Sequence, residues 1–409
     1  MIEKTKYKTA LALGILMLTC PALFGQQGVW GAKLLRADGN NISFTFEWKK
    51  EKGKPVWYIQ NAAEKIKVEN ITVEGDSLFV QMPVFESQFR VKKSGNQLSG
   101  AWIKRGAAKT AIIPFTAAPG NKRFTAGVAA AKIISGRWAV TFATNKTNEL
   151  SVGEFKQQGS KLTGTFLNAT GDYRYLEGVV KKDSLFLSGF DGGHALLFTA
   201  KIENNKTITG GFFFSGATYK EGWTAVKDAN AAVPRESVAM YLKPGEEGLH
   251  FTFKDLEGKN ISIQDERFKN KVVVVQLMGS WCPNCMDETA FLSEYYKSNK
   301  QKGMEVIALA YEYTTNWERS VKSLRKFQQR FDVQYSILNT EVTVKDSLRT
   351  EKTLPELTAI KFFPSSVIID KKGKVRKLDT GFNGPATGSH YLTYKKQFGE
   401  TITNLLKEN

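Results

Sequence analysis

From residue 28 onward the chain carries two unlike hydrophobic patterns. Over 28–226, apolar and polar residues alternate and turn residues recur about every 10 positions, the mark of short half-buried strands. Ile42-Ser43-Phe44-Thr45-Phe46-Glu47-Trp48 alternates most regularly, and Leu78–Val80, Phe89–Val91 and Leu185–Leu187 predict further strands. Asp38-Gly39, Glu74-Gly75-Asp76, Ser94-Gly95-Asn96 and Asn204-Asn205 supply the turns. From 249 the pattern changes. Val272–Met278 is apolar except for Gln276, as expected of a strand covered on both faces. Met286–Lys297 has helical spacing, with Phe291, Leu292, Tyr295 and Tyr296 on one side. Met304–Tyr311 predicts a second buried strand, Trp317–Phe331 an amphipathic helix, Ser365–Ile369 a strand, Lys371–Lys374 a turn and Tyr391–Lys407 a closing helix. Such alternation of strand and helix predicts an α/β layer structure.

The first half repeats itself. Gly28-Val29-Trp30 returns as Gly136-Arg137-Trp138, and Asp76–Val80 as Asp183–Leu187. Phe89–Lys92 returns as Phe198–Lys201, and Leu98–Trp102 as Ile208–Phe212, all at offsets of 107 to 110. A near-constant offset over four ordered matches indicates a tandem duplication, with room in each copy for about six to eight short strands. The expected organisation is a leader at 1–25, β copies at 26–125 and 126–226, a Pro- and Gly-bearing linker at 227–248, and an α/β domain at 249–409. The fold class is therefore multidomain: a duplicated antiparallel meander, barrel- or sandwich-like, followed by an α/β domain.

Charge changes this picture little. The formal net charge is +18, but Lys and Arg are scattered in pairs such as Lys49-Lys50, Lys92-Lys93 and Lys371-Lys372. With no basic block or nucleic-acid motif, a solvated basic surface is expected rather than a nucleic-acid partner. The N-terminus reads as an export signal: Lys4, Lys6 and Lys8, then an apolar stretch from Ala10 to Leu18, then Pro21 and Gly25. That stretch is too short to span a bilayer. Cleavage near Gly25 would leave no integral membrane segment. A lipoprotein, anchored through Cys20, is the alternative; Thr19 is bulkier than the small residue such sites favour.

Cysteine usage then narrows the chemistry. Once Cys20 leaves with the signal, only Cys282 and Cys285 remain. One close pair in an exported protein closes too small a loop to act as a scaffold staple. Trp281-Cys282-Pro283-Asn284-Cys285 sits between a buried strand and a helix. Two intervening residues let the sulfurs meet as the chain turns into the helix, whose N-terminal N–H groups and dipole favour a thiolate. Cys282 is the expected nucleophile, and Pro283 suits an early helical position. Zinc is the competing use of such a pair. It needs further ligands, and His194, His250 and His390 are not spaced to supply them. No cofactor or metal is expected beyond the redox-active Cys282–Cys285 disulfide; a purely structural disulfide stays open as an alternative.

Residues 249–409 resemble the thioredoxin superfamily, and within it the extracytoplasmic TlpA-like disulfide reductases. Phe251–Lys259 resembles the family's N-terminal hairpin, Val272–Cys285 its strand and active-site loop, Phe363–Asp370 its cis-proline loop and next strand, and Lys372–Val375 the following turn. The resemblance implies that Pro364 is cis and faces the cysteines, leaving the Phe363 backbone free to pair with an incoming substrate strand. It implies exported disulfide-bearing proteins as substrates and a membrane electron donor. In thioredoxins a buried acid lies six residues before the first Cys; here that position is Gln276, which cannot take a proton. Glu312 lies near where related reductases carry an acid and is a candidate proton acceptor, a surface role being the alternative. The opening Gly-x-Trp of each β copy resembles the first-strand signature of lipocalin-like barrels, although Trp30 and Trp138 read equally as core aromatics.

The expectation is an exported thiol-disulfide oxidoreductase, working as a reductase in the periplasm or cell envelope. Two alternatives belong to other classes. One is a thiol peroxidase of the peroxiredoxin kind, although Met278-Gly279-Ser280 does not match its usual setting. The other is a ligand- or partner-binding β module with an accessory redox domain.

Overall fold

The computed structural model describes residues 27–120, 122–125, 130–143, 148–234 and 238–408. The expected leader and Cys20 lie outside the described residues. Three sheets account for nearly all strands.

Each β copy has nine strands rather than six to eight. The extra ones are short: Glu64–Val68, Ile71–Glu74 and the two-residue Gly171–Asp172 are too brief for alternation to register. The repeated motifs occupy equivalent places. Gly28 and Gly136 open the first strand of each set, and Leu78 and Leu185 lie on the sixth. Phe89 and Phe198 lie on the seventh, and Leu98 and Ile208 on the eighth.

The first sheet is an antiparallel meander from Gly28–Leu34 to Thr110–Pro119 whose first and last strands pair, Trp30 opposite Pro119 and Leu34 opposite Phe115. Its edges are Glu64–Val68 and Ile71–Glu74, neighbours in sequence at the open seam of the curl. The second sheet runs from Gly136–Ala143 to Tyr219–Lys227, which pair with each other. Here Asn148–Gln158 also pairs with Lys161–Asn168, so eight strands close into an up-and-down barrel. Phe142, Phe166, Phe198 and Trp223 fill its interior, with Phe166 stacked on Phe198 at 4.5 Å. Trp30 and Trp138 are both fully buried core aromatics, and the Trp138 indole donates to the Ile134 carbonyl at 2.8 Å.

The two β units share a core. Phe190, from the barrel, enters the first sheet's cluster, stacking on Phe44 at 4.3 Å and meeting Trp102 edge-on at 5.5 Å. The buried Arg123 guanidinium donates to the Ser188 carbonyl of the barrel at 2.8 Å and to the Gln60 carbonyl of the first sheet.

The third sheet has seven strands, in the order Asn260–Ser262, Thr252–Asp255, Ser336–Asn339, Met304–Ala310, Val272–Met278, Ser365–Ile369, Val375–Thr380. Val272–Met278 runs parallel to Met304–Ala310 and antiparallel to Ser365–Ile369. Alternate residues of this central strand go to opposite faces. Val272, Val274 and Met278 pack under helices α1 (Pro283–Asn299), α2 (Trp317–Arg330) and α4 (Ser389–Lys407). Val273, Val275 and Leu277 pack on the other face against Met240, Leu249, Phe251 and Leu357. The short helix α3 (Arg349–Thr353) lies in a stretch where the sequence predicts no element.

The low-hydrophobicity segment expected as a linker is docked rather than free. Ala231 packs on the barrel, Met240 joins the third sheet's core, and Leu242 bridges to Leu357. The few apolar residues in it are all used, which a mean over the window conceals. Among the described residues no helix is long and apolar enough to cross a membrane.

Candidate active site

The cysteines sit where a buried strand turns into α1. Cys282 is the N-cap of that helix and Pro283 its first residue. The two cysteines are joined as a disulfide, with Cα atoms 5.2 Å apart. The Cys285 backbone N–H points at the Cys282 sulfur, 3.2 Å away. In the reduced state that N–H and the helix dipole favour negative charge on Cys282, so its thiol ionises more readily than a free one. Cys282 is 3% exposed and Cys285 fully buried, which separates an attacking sulfur from a resolving one.

Phe363 and Pro364 arrive from the loop before Ser365–Ile369. The bond between them is cis, and the Phe363 carbonyl lies 3.6 Å from the Cys282 sulfur. Trp281 stacks on Tyr313 at 5.2 Å and meets Phe363 edge-on at 5.9 Å, and its indole donates to the Tyr311 carbonyl at 2.9 Å. These rings pin the loop from one side.

Two buried carboxyls flank the pair. Glu312 is not a surface residue. Its two oxygens accept from the Ser280 backbone N–H and hydroxyl, both at 2.7 Å, bracing the loop two residues before Cys282. Burial pushes its carboxyl up to about 7 against those hydrogen bonds.

The other carboxyl, Glu288, is absent from the sequence expectation. Gln276 shares the parity of Val274 and Met278, so its side chain faces α1. There its Nε2 donates to Glu288 at 2.8 Å, and its Oε1 accepts from the Thr289 hydroxyl at 3.1 Å. Glu288 is 1% exposed, and burial pushes its carboxyl up to about 8. It lies one turn beyond Cys285, at the i+3 spacing that puts both on one helix face. The acid that Gln276 displaces from the strand is thus found on the helix. The available signal was the spacing of Glu288 from Cys285, together with the inward parity of Gln276.

The residues between the cysteines are held by the β half. The Arg174 guanidinium donates to the Pro283 carbonyl at 2.9 Å and pairs with Asp287 at 2.6 Å and with Glu64. One cation thus serves two carboxylates, with Asp172 close by. Burial and these like charges push Asp287 up to about 7 despite Arg174. The Asn284 amide donates to the Asp172 carbonyl at 3.0 Å and accepts from its N–H at 2.9 Å, as a neighbouring strand would. Asp172 also accepts from the Gly384 N–H at 2.7 Å. A bidentate pair joins Arg319 of α2 to Glu86 of the first sheet, with the Arg319 Nε 3.0 Å from both oxygens. These long-range contacts left no trace in local sequence pattern. They also alter the expectation for Phe363: it lines a cavity roofed by the barrel, so a strand arriving from solvent meets the barrel first. Among the described residues no group of His, Cys, Asp or Glu is arranged to hold a metal.

A cysteine pair at a helix N-terminus, a cis-proline loop beside it and a sheet of this order define a thioredoxin-fold redox domain. Residues 243–393 match the Redoxin family. The thiol-disulfide oxidoreductase ResA of Bacillus thuringiensis subsp. konkukian is 31% identical over 134 residues, 33% of this chain and 68% of that protein. ResA of Bacillus subtilis is 25% identical over 160 residues, 39% of this chain and 79% of that protein. The solved thioredoxin domain of a thiol-disulfide oxidoreductase from Bacteroides vulgatus is 23% identical and has a TM-score of 0.29, covering 38% of this chain and 99% of that one. The chain belongs to the TlpA-like thiol-disulfide oxidoreductases of the thioredoxin superfamily.

Proposed function

We propose that this oxidoreductase is exported and works as a disulfide reductase outside the cytoplasm, with Cys282 as nucleophile and Cys285 as resolving thiol. The observation that carries the reading is Cys282 at the N-cap of α1, receiving the Cys285 N–H, beside the Phe363–Pro364 loop. The Cys282 thiolate attacks a substrate disulfide and forms a mixed disulfide. Cys285 gives its proton to the Glu288 carboxylate and attacks Cys282, releasing the reduced substrate. Glu312 acts through Ser280, holding the loop. A donor at the membrane then returns two electrons to the Cys282–Cys285 disulfide; no other cofactor enters the cycle. The leader at 1–25 and its Lys-rich start support export.

The reduction potential of the pair tests the direction. A value near that of thioredoxin, about −270 mV, is expected; one near about −120 mV would make the protein an oxidant. Cys285→Ser should trap a mixed disulfide at Cys282, whereas Cys282→Ser should trap nothing.

A further inference from the structure

The active-site loop and the β half enclose a cavity of about 320 Å³. Cys282, Trp281 and Phe363 form one wall. Tyr173, His194 and Phe213, at one mouth of the barrel, form part of the other. We propose that this chamber is the substrate site of the redox reaction, and that it admits low-molecular-weight disulfides while keeping folded proteins away from Cys282. The proposal rests on the thiol-disulfide reading above and specifies its substrate class.

The roof is bonded to the loop it covers. Asn284 pairs with the Asp172 backbone, Arg174 holds the Pro283 carbonyl and Asp287, and Asp172 holds the Gly384 N–H. Gly171 presses so closely that an added Cβ would lie 1.7 Å from the Asn284 amide nitrogen. Lifting the barrel would break all of these contacts together and leave charged groups without partners.

Size points the same way. Small-ligand sites occupy about 300–1,000 Å³, whereas a protein partner must bury about 800 Å² of each surface. A chamber at the lower end of that range seats a small molecule and offers a folded partner no such area. Its lining also has the mixture such sites show, aromatic walls with a few polar groups. The Tyr173 and Tyr175 hydroxyls make no hydrogen bond within the described residues and remain for a ligand. His194 is turned by Asp191, whose carboxylate lies 3.1 Å from Nδ1. A carboxylate only accepts, so Nδ1 carries the proton and Nε2 is left as an acceptor. Burial holds this imidazole below its usual range, and it is neutral at neutral pH.

The exchange balances within the chamber. The Cys282 thiolate bonds to one sulfur of the small disulfide, whose S–S bond breaks. The first half leaves as a thiolate and takes a proton from water. Cys285 then bonds to Cys282, the mixed disulfide breaks, and the second half leaves in the same way. Two electrons pass from the cysteine pair to the substrate, and dithiothreitol restores them in the assay.

The test uses the full chain, reduced with dithiothreitol and desalted, and follows Trp281 fluorescence on mixing with cystamine, oxidised glutathione, native insulin or a denatured disulfide-bearing protein. Small disulfides should react at least about tenfold faster per disulfide than either protein. Leu196→Trp, which fills the chamber from the barrel wall, should slow the small disulfides by about tenfold or more and leave the reduction potential unchanged. Leu196→Met should keep the original rate. Should Leu196→Trp lose its thermal transition, Ser215→Phe, also on the chamber wall, makes the same test. Protein disulfides reacting as fast as small ones, or chamber-filling variants without effect on small ones, would overturn the proposal. If the reduced protein exchanges with none of the four, the thiol-disulfide reading itself fails, not the assignment of the chamber.

Discussion

Gln276 donates its side-chain N–H to the Glu288 carboxyl at 2.8 Å across the contact between the central strand and α1. A residue unable to carry a proton therefore positions one that can. The consequence is kinetic. Glu288→Gln should leave attack by Cys282 nearly intact and slow the Cys285 step by about 100-fold or more, the usual contribution of a positioned base. Rapid mixing should show the mixed disulfide accumulating. The limb of the pH–rate profile near pH 8, set by Glu288, should disappear. A variant that releases product at the original rate would remove Glu288 from the proton path.

The same carboxyl makes stability fall with rising pH. Its folded value of about 8 lies above the ordinary value near 4.5, so the native state holds the proton more tightly than the unfolded chain. Its stabilising share is full below about pH 4 and is lost as pH rises towards about 8, on the order of a few kcal/mol. Asp287 and Glu312, both pushed up to about 7, act with the same sign. The urea midpoint should decline between about pH 5 and pH 8, and Glu288→Gln should flatten that decline. A midpoint that climbed over this range would contradict the burial argument.

Ser280→Ala removes one of the two donors to the Glu312 carboxyl and leaves a buried oxygen unpaired. A loss of about 1–3 kcal/mol in denaturant unfolding is expected. Ser280→Thr, which keeps the hydroxyl, should restore most of it.

Arg174→Met strands Glu64 and Asp287, whose side chains are 13% and 11% exposed. Breaking a buried pair from one side costs about 3–5 kcal/mol. Amide exchange should also quicken over 283–288, because the Pro283 carbonyl loses its donor. Exchange that quickened only within the barrel would show that the clamp does not hold the loop.

Gly171→Ala puts a methyl group into Asn284 at a residue whose φ is +152°. The added atom and the strained backbone together should cost about 1–3 kcal/mol. The loss should be smaller in an Asn284→Gly background, where the colliding amide is absent.

The sequence made some of this legible and hid the rest for physical reasons. The central strand and the helix after Cys285 are visible because burial imposes a pattern on contiguous residues. Val272–Met278 appears with the bounds expected of it. Cys282 and Cys285 stand out by spacing and by being the only thiols after the leader. Glu288 did not stand out, because an acid in a helix reads as solvated until the strand beneath it is placed. Glu312 drew attention for its position, but its bonds to Ser280 depend on a loop geometry that no local pattern encodes. The tongue from Gly171 to Tyr175 was illegible altogether. Its partners lie more than a hundred residues away, and its turn residues look like those of any hairpin.

The Phe190 ring, set among Phe44, Phe89 and Trp102, gives the duplication another meaning. The two copies are not spare parts of one another. The later copy is complete and closes on itself, while the earlier borrows an aromatic to finish its interior. Cutting the chain between them would leave one tidy barrel and one with a wet, ring-lined opening. Neither could be exchanged, reordered or dropped without exposing oily surface next to the redox centre. Descent from a common ancestor has here produced a fixed division of labour instead of redundancy.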